Sequence, residues 1–127
     1  MDLPDILFVL AEAEKIARVF NNVIKNAITY SYPQSTIDIA VQNSNDKAVI
    51  CIKNRGETIP ADKLERIFDK FYRTEEAGIS GNSGAGLGLA IAKEIMRMHD
   101  GTITAESWDE ITVFTVTLPI LNKGSEA

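Results

Sequence analysis

Several residues and patterns that would commit a chain to a class are scarce here. Cys51 is the one cysteine among 127 residues, so no internal disulfide can form. It stands in the apolar alternating segment AVICIK, where a buried thiol in a reducing cytosol is expected. No apolar run reaches the length of a membrane span. The opening MDLPDILFVL also lacks the basic region and cleavage site of a signal peptide. A soluble, cytoplasmic unit without direct membrane contact is expected, and it can equally be one piece of a longer membrane protein. Basic charge is in deficit, with 13 Lys and Arg against 18 Asp and Glu for a net charge of −5. That balance argues against nucleic-acid or anionic-membrane partners. No internal repeat or low-complexity stretch occurs, and the single histidine is His99, in RMHDG.

What is present suits one globular unit. An apolar content of 45% over this length supports one domain with a real core and no second one. Residues 1–121 are assigned to it, with 122–127 (NKGSEA) as a frayed tail. Ile6 to Leu10 suits an edge strand. From Ala13 to about Ser31 the apolar residues Ile16, Val19, Phe20, Val23, Ile24, Ala27 and Ile28 recur at helical spacing. Thr36 to Gln42 and Ala48 to Lys53 alternate as strands around the polar turn NSNDK. Pro60 marks a helix start, with Leu64, Ile67 and Phe68 as its buried face. A second long helix is expected from about Leu87 to Met98, stopped at Gly101. Thr102 to Ser107 and Ile111 to Leu118 form a last strand pair around Trp108-Asp109-Glu110. Strict βαβ alternation is absent. The expected fold is an α+β two-layer sandwich, a mixed, mostly antiparallel sheet of about five strands covered on one face by about three helices.

Four polar stretches stand out against this frame. In GNSGAGLGLAIAKEI, Gly81, Gly84, Gly86 and Gly88 precede a helical pattern. Glycines there let backbone N–H groups converge on a phosphate at the positive end of the helix dipole, or they are plain loop punctuation. Leu89 and Ala90 follow Gly88, where a P-loop needs Lys and then Ser or Thr. Polar TEEAGISGNS, from Thr74 to Ser83, stands where a dinucleotide fingerprint needs a strand. On the first long helix, Arg18, Asn22, Asn26 and Tyr30 are four apart and form one stripe. Asn is a poor mid-helix residue. Such a pair either satisfies neighbouring loops or offers an amide oxygen to Mg²⁺, which takes one or two protein ligands beside substrate phosphates.

In IKNRGETIP, Asn54 ends a strand where its oxygen can accept from a nucleobase amino group. Gly56 permits close backbone approach and Ile59 gives an apolar wall; an Asn-x-Gly turn with no ligand reads equally well. In FDKFYR, Phe68, Phe71 and Tyr72 crowd against Lys70 and Arg73. One of the two phenylalanines is expected to plug the core, and Arg73 can approach a terminal phosphate. His99 at a helix C-terminus fits a structural cation better than a nucleophile.

In chain order, NNVIKNA, NRGETIP, FDKFYR and GAGLGL resemble the N, G1, F and G2 boxes of sensor histidine kinase catalytic domains, whose nucleotide-binding fold is shared with gyrase, Hsp90 and MutL. The match covers nearly the whole chain. The wording of ARVFNN, NAITYS, FDKFYR and GAGLGLAIAKEI is most similar to the vancomycin-resistance sensor kinases. The resemblance implies ATP and Mg²⁺ as cofactors, with Asn26 as metal ligand, Asn22 supporting metal and phosphates, and Tyr30 near the adenine. It implies Gly84, Gly86, Leu87 and Gly88 along the phosphates and Thr74 to Ser83 as a mobile lid.

Two positions depart from the pattern. Asn54 replaces an Asp that contacts the adenine amino group in many relatives, which implies that adenine preference survives with less discrimination. Thr29 replaces a phosphate-contacting Lys, a charge that Lys70, Arg73 or Lys25 would supply. Hydrolytic members of the fold carry Glu where this chain has Asn22, and an amide is no general base near neutral pH, so slow hydrolysis is expected. No His-Glu or His-Asp pair opens a helical hairpin in the chain. The resemblance therefore implies γ-phosphoryl transfer to a histidine on a separate dimerisation and phosphoacceptor domain, with a response regulator downstream and a monomeric catalytic unit. A non-catalytic nucleotide-binding regulatory module, or a serine kinase or ATPase of the same fold, stays open.

Overall fold

The apolar spacing at Val19, Val23 and Ala27 becomes the fully buried face of a helix, α1 (Ala13–Tyr30). It belongs to a computed structural model that describes residues 12–69 and 88–120. The remaining elements are β1 (Ile37–Ser44), β2 (Lys47–Arg55), α2 (Ala61–Leu64), α3 (Gly88–Met98), β3 (Thr102–Trp108) and β4 (Ile111–Pro119). The predicted strand at Ile6 to Leu10, the lid segment Thr74 to Ser83 and the 122–127 tail lie outside the described residues.

The described sheet has four strands in the order β1-β2-β4-β3, and every pairing is antiparallel. The expected mixed pairing is thus absent among the described residues. Side chains alternate across a strand, so Ala48, Ile50 and Ile52 of β2 share one face, and their partners on β4 are Leu118, Val116 and Phe114. All six are buried. Ile103 of β3 joins the same layer beside Val116. Above it α3 contributes Leu89, Ala92, Ile95 and Met96, with α1 packed against both α3 and β2. This is the expected two-layer α+β sandwich, its core lying between one sheet face and the helices.

Both hairpins turn more tightly than expected. Asn45 (φ 54°) and Asp46 (φ 63°) make a two-residue turn, as do Asp109 (φ 50°) and Glu110 (φ 63°). Two consecutive left-handed residues match the twist of the flanking strands. Strand pairing therefore runs through most of NSNDK, as far as Ser44↔Lys47, and Trp108 belongs to β3, opposite Ile111.

The end of α3 also differs from expectation. Asp100, not Gly101, takes the left-handed position (φ 59°). Asp100 N–H donates to Arg97 O at 3.2 Å and Gly101 N–H to Met96 O at 2.8 Å, the two reverse bonds of a Schellman cap. Gly101 is needed for another reason: a Cβ there would lie 2.3 Å from Thr117 O.

Candidate nucleotide site

The polar stripe of α1 meets the described end of the glycine segment. Asn22, Asn26 and Tyr30 are half-buried, while Arg18 is exposed. Asn22 Nδ2 donates to Gly88 O at 3.0 Å, so the first residue of α3 is tied to the middle of α1. One turn on, Asn26 Nδ2 donates to Asn22 O at 3.1 Å. That bond engages the donor half of the Asn26 amide and leaves its oxygen as the atom suited to a hard cation. Thr29 and Lys25 are exposed, and the Thr29 hydroxyl is spent within the helix, donating to Lys25 O at 2.8 Å.

Eight residues of helix, about 12 Å, separate Asn22 from Tyr30, where the end of β2 arrives. Gly56 is buried there, and a Cβ on it would fall 2.0 Å from Tyr30 O and 3.4 Å from Asn54 Nδ2. The close approach that requires glycine is therefore to the last turn of α1. Tyr32 N–H donates to Arg55 O at 2.8 Å and fastens the chain leaving α1 to the same strand end.

Asn54 is the unusual residue of this corner. It continues the inward row of β2 past Ile52, with Thr112 and Ile37 as its cross-strand partners. The residue is 1% exposed, yet among the described residues neither Oδ1 nor Nδ2 has a hydrogen-bond partner. An unsatisfied buried polar group costs about 1–3 kcal/mol. Thr112, equally buried, gives no relief, because its hydroxyl pairs with Ser107 Oγ at 2.9 Å. Ser107 Oγ in turn accepts from Ile59 N–H at 2.8 Å. Ile59 is 6% exposed, an apolar wall fixed by its own backbone.

A second set of bonds holds the turn after β2 to the tip of the β3–β4 hairpin. Gly56 N–H donates to Glu110 O at 3.1 Å, Glu110 N–H to Thr58 Oγ1 at 2.7 Å, and Tyr32 Oη to Glu110 Oε1 at 3.0 Å. These bonds also explain how a glutamate is held at positive φ. The Tyr32 hydroxyl is pushed up from its usual range, first by the bond to Glu110, then by desolvation and the charges of Glu110 and Glu57. Ser107, Thr112, Thr58, Tyr32 and Glu110 were not foreseen from the sequence. A signal existed for one of them: the parity that buries Ile52 and Phe114 turns Thr112 inward, as it does the predicted Asn54.

Other predicted residues fall elsewhere. Phe68 is half-buried and packs against the core, with Lys93 Nζ 5.7 Å from its ring centroid. His99 has a structural place: its Nε2 lies 3.2 Å from Glu12 N and its Nδ1 lies 2.8 Å from Ile95 O. Lys70, Phe71, Arg73, Gly84, Gly86 and Leu87 lie outside the described residues. Among the described residues no group of three or more His, Cys, Asp or Glu converges to hold a metal. No described helix is long and apolar enough to cross a membrane.

The described residues thus form a two-layer sandwich in which the amide stripe of α1 meets the start of α3 and a buried amide stands at the end of β2. The chain belongs to the histidine kinase-, DNA gyrase B- and HSP90-like ATPase family, whose profile matches residues 11–122. It is 52% identical over 118 residues to the sensor protein VanS of Enterococcus faecium, covering 93% of this chain and 30% of VanS. Against the sensor histidine kinase WalK of Bacillus subtilis (strain 168) the identity is 41% over 123 residues, covering 93% of this chain and 20% of WalK. The chain thus spans less than a third of either relative. In structure it superposes on the nucleotide-free catalytic domain of the histidine kinase ThkA with a TM-score of 0.76 at 30% identity, covering 87% of this chain and 70% of that one.

Proposed function

We propose that residues 1–121 form the ATP-binding catalytic domain of a sensor histidine kinase, on the cytoplasmic side of the membrane. The domain positions Mg·ATP for transfer of the γ-phosphoryl group to a histidine on a separate dimerisation and phosphoacceptor domain, from which a response regulator is phosphorylated. The observation that carries the reading is the joining of Asn22 to Gly88 at one end of the α1 stripe and of Asn54, Gly56 and Tyr30 at the other. Phosphate-binding and base-binding candidates then lie along one helix. The likeness to VanS extends the proposal to a role in vancomycin resistance.

The residues fit the cofactors. Asn26 Oδ1 would hold Mg²⁺, which would supply charge neutralisation for the transferred group. Gly88 would meet the phosphates at the start of α3 together with Gly84, Gly86 and Leu87, and Lys70 and Arg73 would supply positive charge. Asn54 would hydrogen-bond the base, Ile59 and Tyr30 would flank it, and Gly56 would keep the strand end against α1. Asn22 uses its amide as a tie and has no basic atom to activate water. Phosphoryl transfer is then favoured over hydrolysis.

The test is transfer of labelled γ-phosphate from Mg·ATP to a histidine-bearing helical hairpin in trans, with Asn26→Ala as control. Acid-labile label on the hairpin, lost in the variant, is the expected result. A competent cognate hairpin left unlabelled while ATP binds would overturn catalysis and leave a nucleotide-binding module.

A further inference from the structure

The Asn54 amide offers more than an acceptor for an amino group. Both of its polar atoms are buried and, among the described residues, unpartnered, and Thr112, the polar residue directly across on β4, has its hydroxyl bonded to Ser107. Nothing among the described residues fixes which way the amide faces. Oxygen and NH₂ are nearly equal in size, and the terminal torsion of an asparagine is broad and roughly two-fold. The side chain therefore presents an adjacent donor and acceptor whose order reverses by a half-turn about χ2.

A 6-aminopurine offers N6–H as donor beside N1 as acceptor. Asn54 meets it with Oδ1 on the amino group and Nδ2 on N1. A 6-oxopurine offers the opposite order, with O6 accepting and N1–H donating. The flipped amide meets that edge with the same number of bonds. A carboxylate in this place would be acceptor-only and would turn a negative oxygen toward O6.

We infer that Asn54 makes this site accept 6-oxopurine nucleotides alongside 6-aminopurine ones. The inference rests on the nucleotide reading above and concerns which base the site selects. It identifies Asn54 as a specificity-determining residue.

The experiment is calorimetric titration of the 127-residue chain with Mg·ATP and with Mg·ITP, repeated on Asn54→Asp. Inosine differs from adenosine at the edge in question and avoids the extra amino group of guanosine. In the unaltered chain the two dissociation constants are expected to lie within about tenfold of each other. In Asn54→Asp the preference for ATP should widen by about tenfold or more. If Asn54→Asp does not fold, as judged by circular dichroism, Asn54→Ala serves in its place and should weaken both nucleotides by the same factor. ATP binding with ITP weaker by more than about tenfold in the unaltered chain would overturn the inference and leave the nucleotide site standing. Failure to bind either nucleotide would overturn both.

Discussion

The side-chain amide of Asn22 donates to the carbonyl of Gly88 across 3.0 Å, joining the middle of α1 to the first described residue of α3. The bond makes the spacing between two sequence motifs a property of the fold. An aspartate at position 22 has no N–H to donate and brings a charge against a carbonyl oxygen. Asn22→Asp is expected to lose about 1 kcal/mol of stability and to weaken ATP binding, as read from urea unfolding and nucleotide titration. Unchanged values in both would mean that the bond does not organise the site.

Two glycines should respond in opposite ways to alanine. At Gly56 a Cβ would lie 2.0 Å from the backbone oxygen of Tyr30, and a main-chain atom cannot step aside as a flexible side chain can. At Gly88 the nearest atom would be Asn22 Cγ at 3.7 Å, an ordinary contact, and alanine is the better helix former by about 1 kcal/mol. Gly56→Ala should therefore lower the melting temperature and impair nucleotide binding together. Gly88→Ala should leave the melting temperature unchanged or raised, and a fall there would contradict the placement of α3 against Asn22.

Tyr32 and Glu110 predict a pH dependence. The Tyr32 pKa lies above the usual tyrosine value of 10.0, chiefly because its hydroxyl donates to Glu110. A group whose pKa is raised by folding stabilises the native state below its unfolded pKa and loses that contribution as pH climbs through the folded one. The pair is therefore intact through neutral pH, and its contribution fades only above about pH 10. Replacing Glu110 by Gln should bring the late-titrating tyrosinate absorbance to lower pH. An identical titration in the two proteins would show that the bond does not form in solution.

Much of this arrangement was legible because period carries burial. The helical spacing of Val19, Val23 and Ala27 and the alternation of Ile50 and Ile52 both reached the core as read. The turns were less legible, since tolerance of left-handed backbone at Asn45, Asp46 and Glu110 depends on strand twist and on distant partners such as Thr58. Asn54 was legible as a strand-end amide, but its isolation was not. That isolation depends on Thr112 being spent on Ser107, a bond within a hairpin whose register no local pattern specifies. For Gly56 the sequence suggests close backbone approach to a ligand; the approach present in the fold is to the backbone of α1 at Tyr30.

The cap of α3 offers a change expected to stabilise the fold. Asp100 holds φ at 59°, a conformation that costs an ordinary L-residue about 1–2 kcal/mol and glycine almost nothing. It also places a carboxylate near the negative end of the helix dipole, unfavourable by about 0.3–1 kcal/mol at an exposed site. Asp100→Gly removes both terms and adds back some backbone entropy in the unfolded chain, about 0.4–1 kcal/mol. The net expectation is a gain on the order of 1 kcal/mol. Asp100→Ala relieves the charge but keeps the strain and loses the side chain that helps aspartate tolerate this region, so it should not gain. Urea midpoints of the three proteins should fall in the order Gly, then Asp, then Ala. An alanine variant at least as stable as the glycine one would mean that residue 100 does not hold the left-handed position in solution.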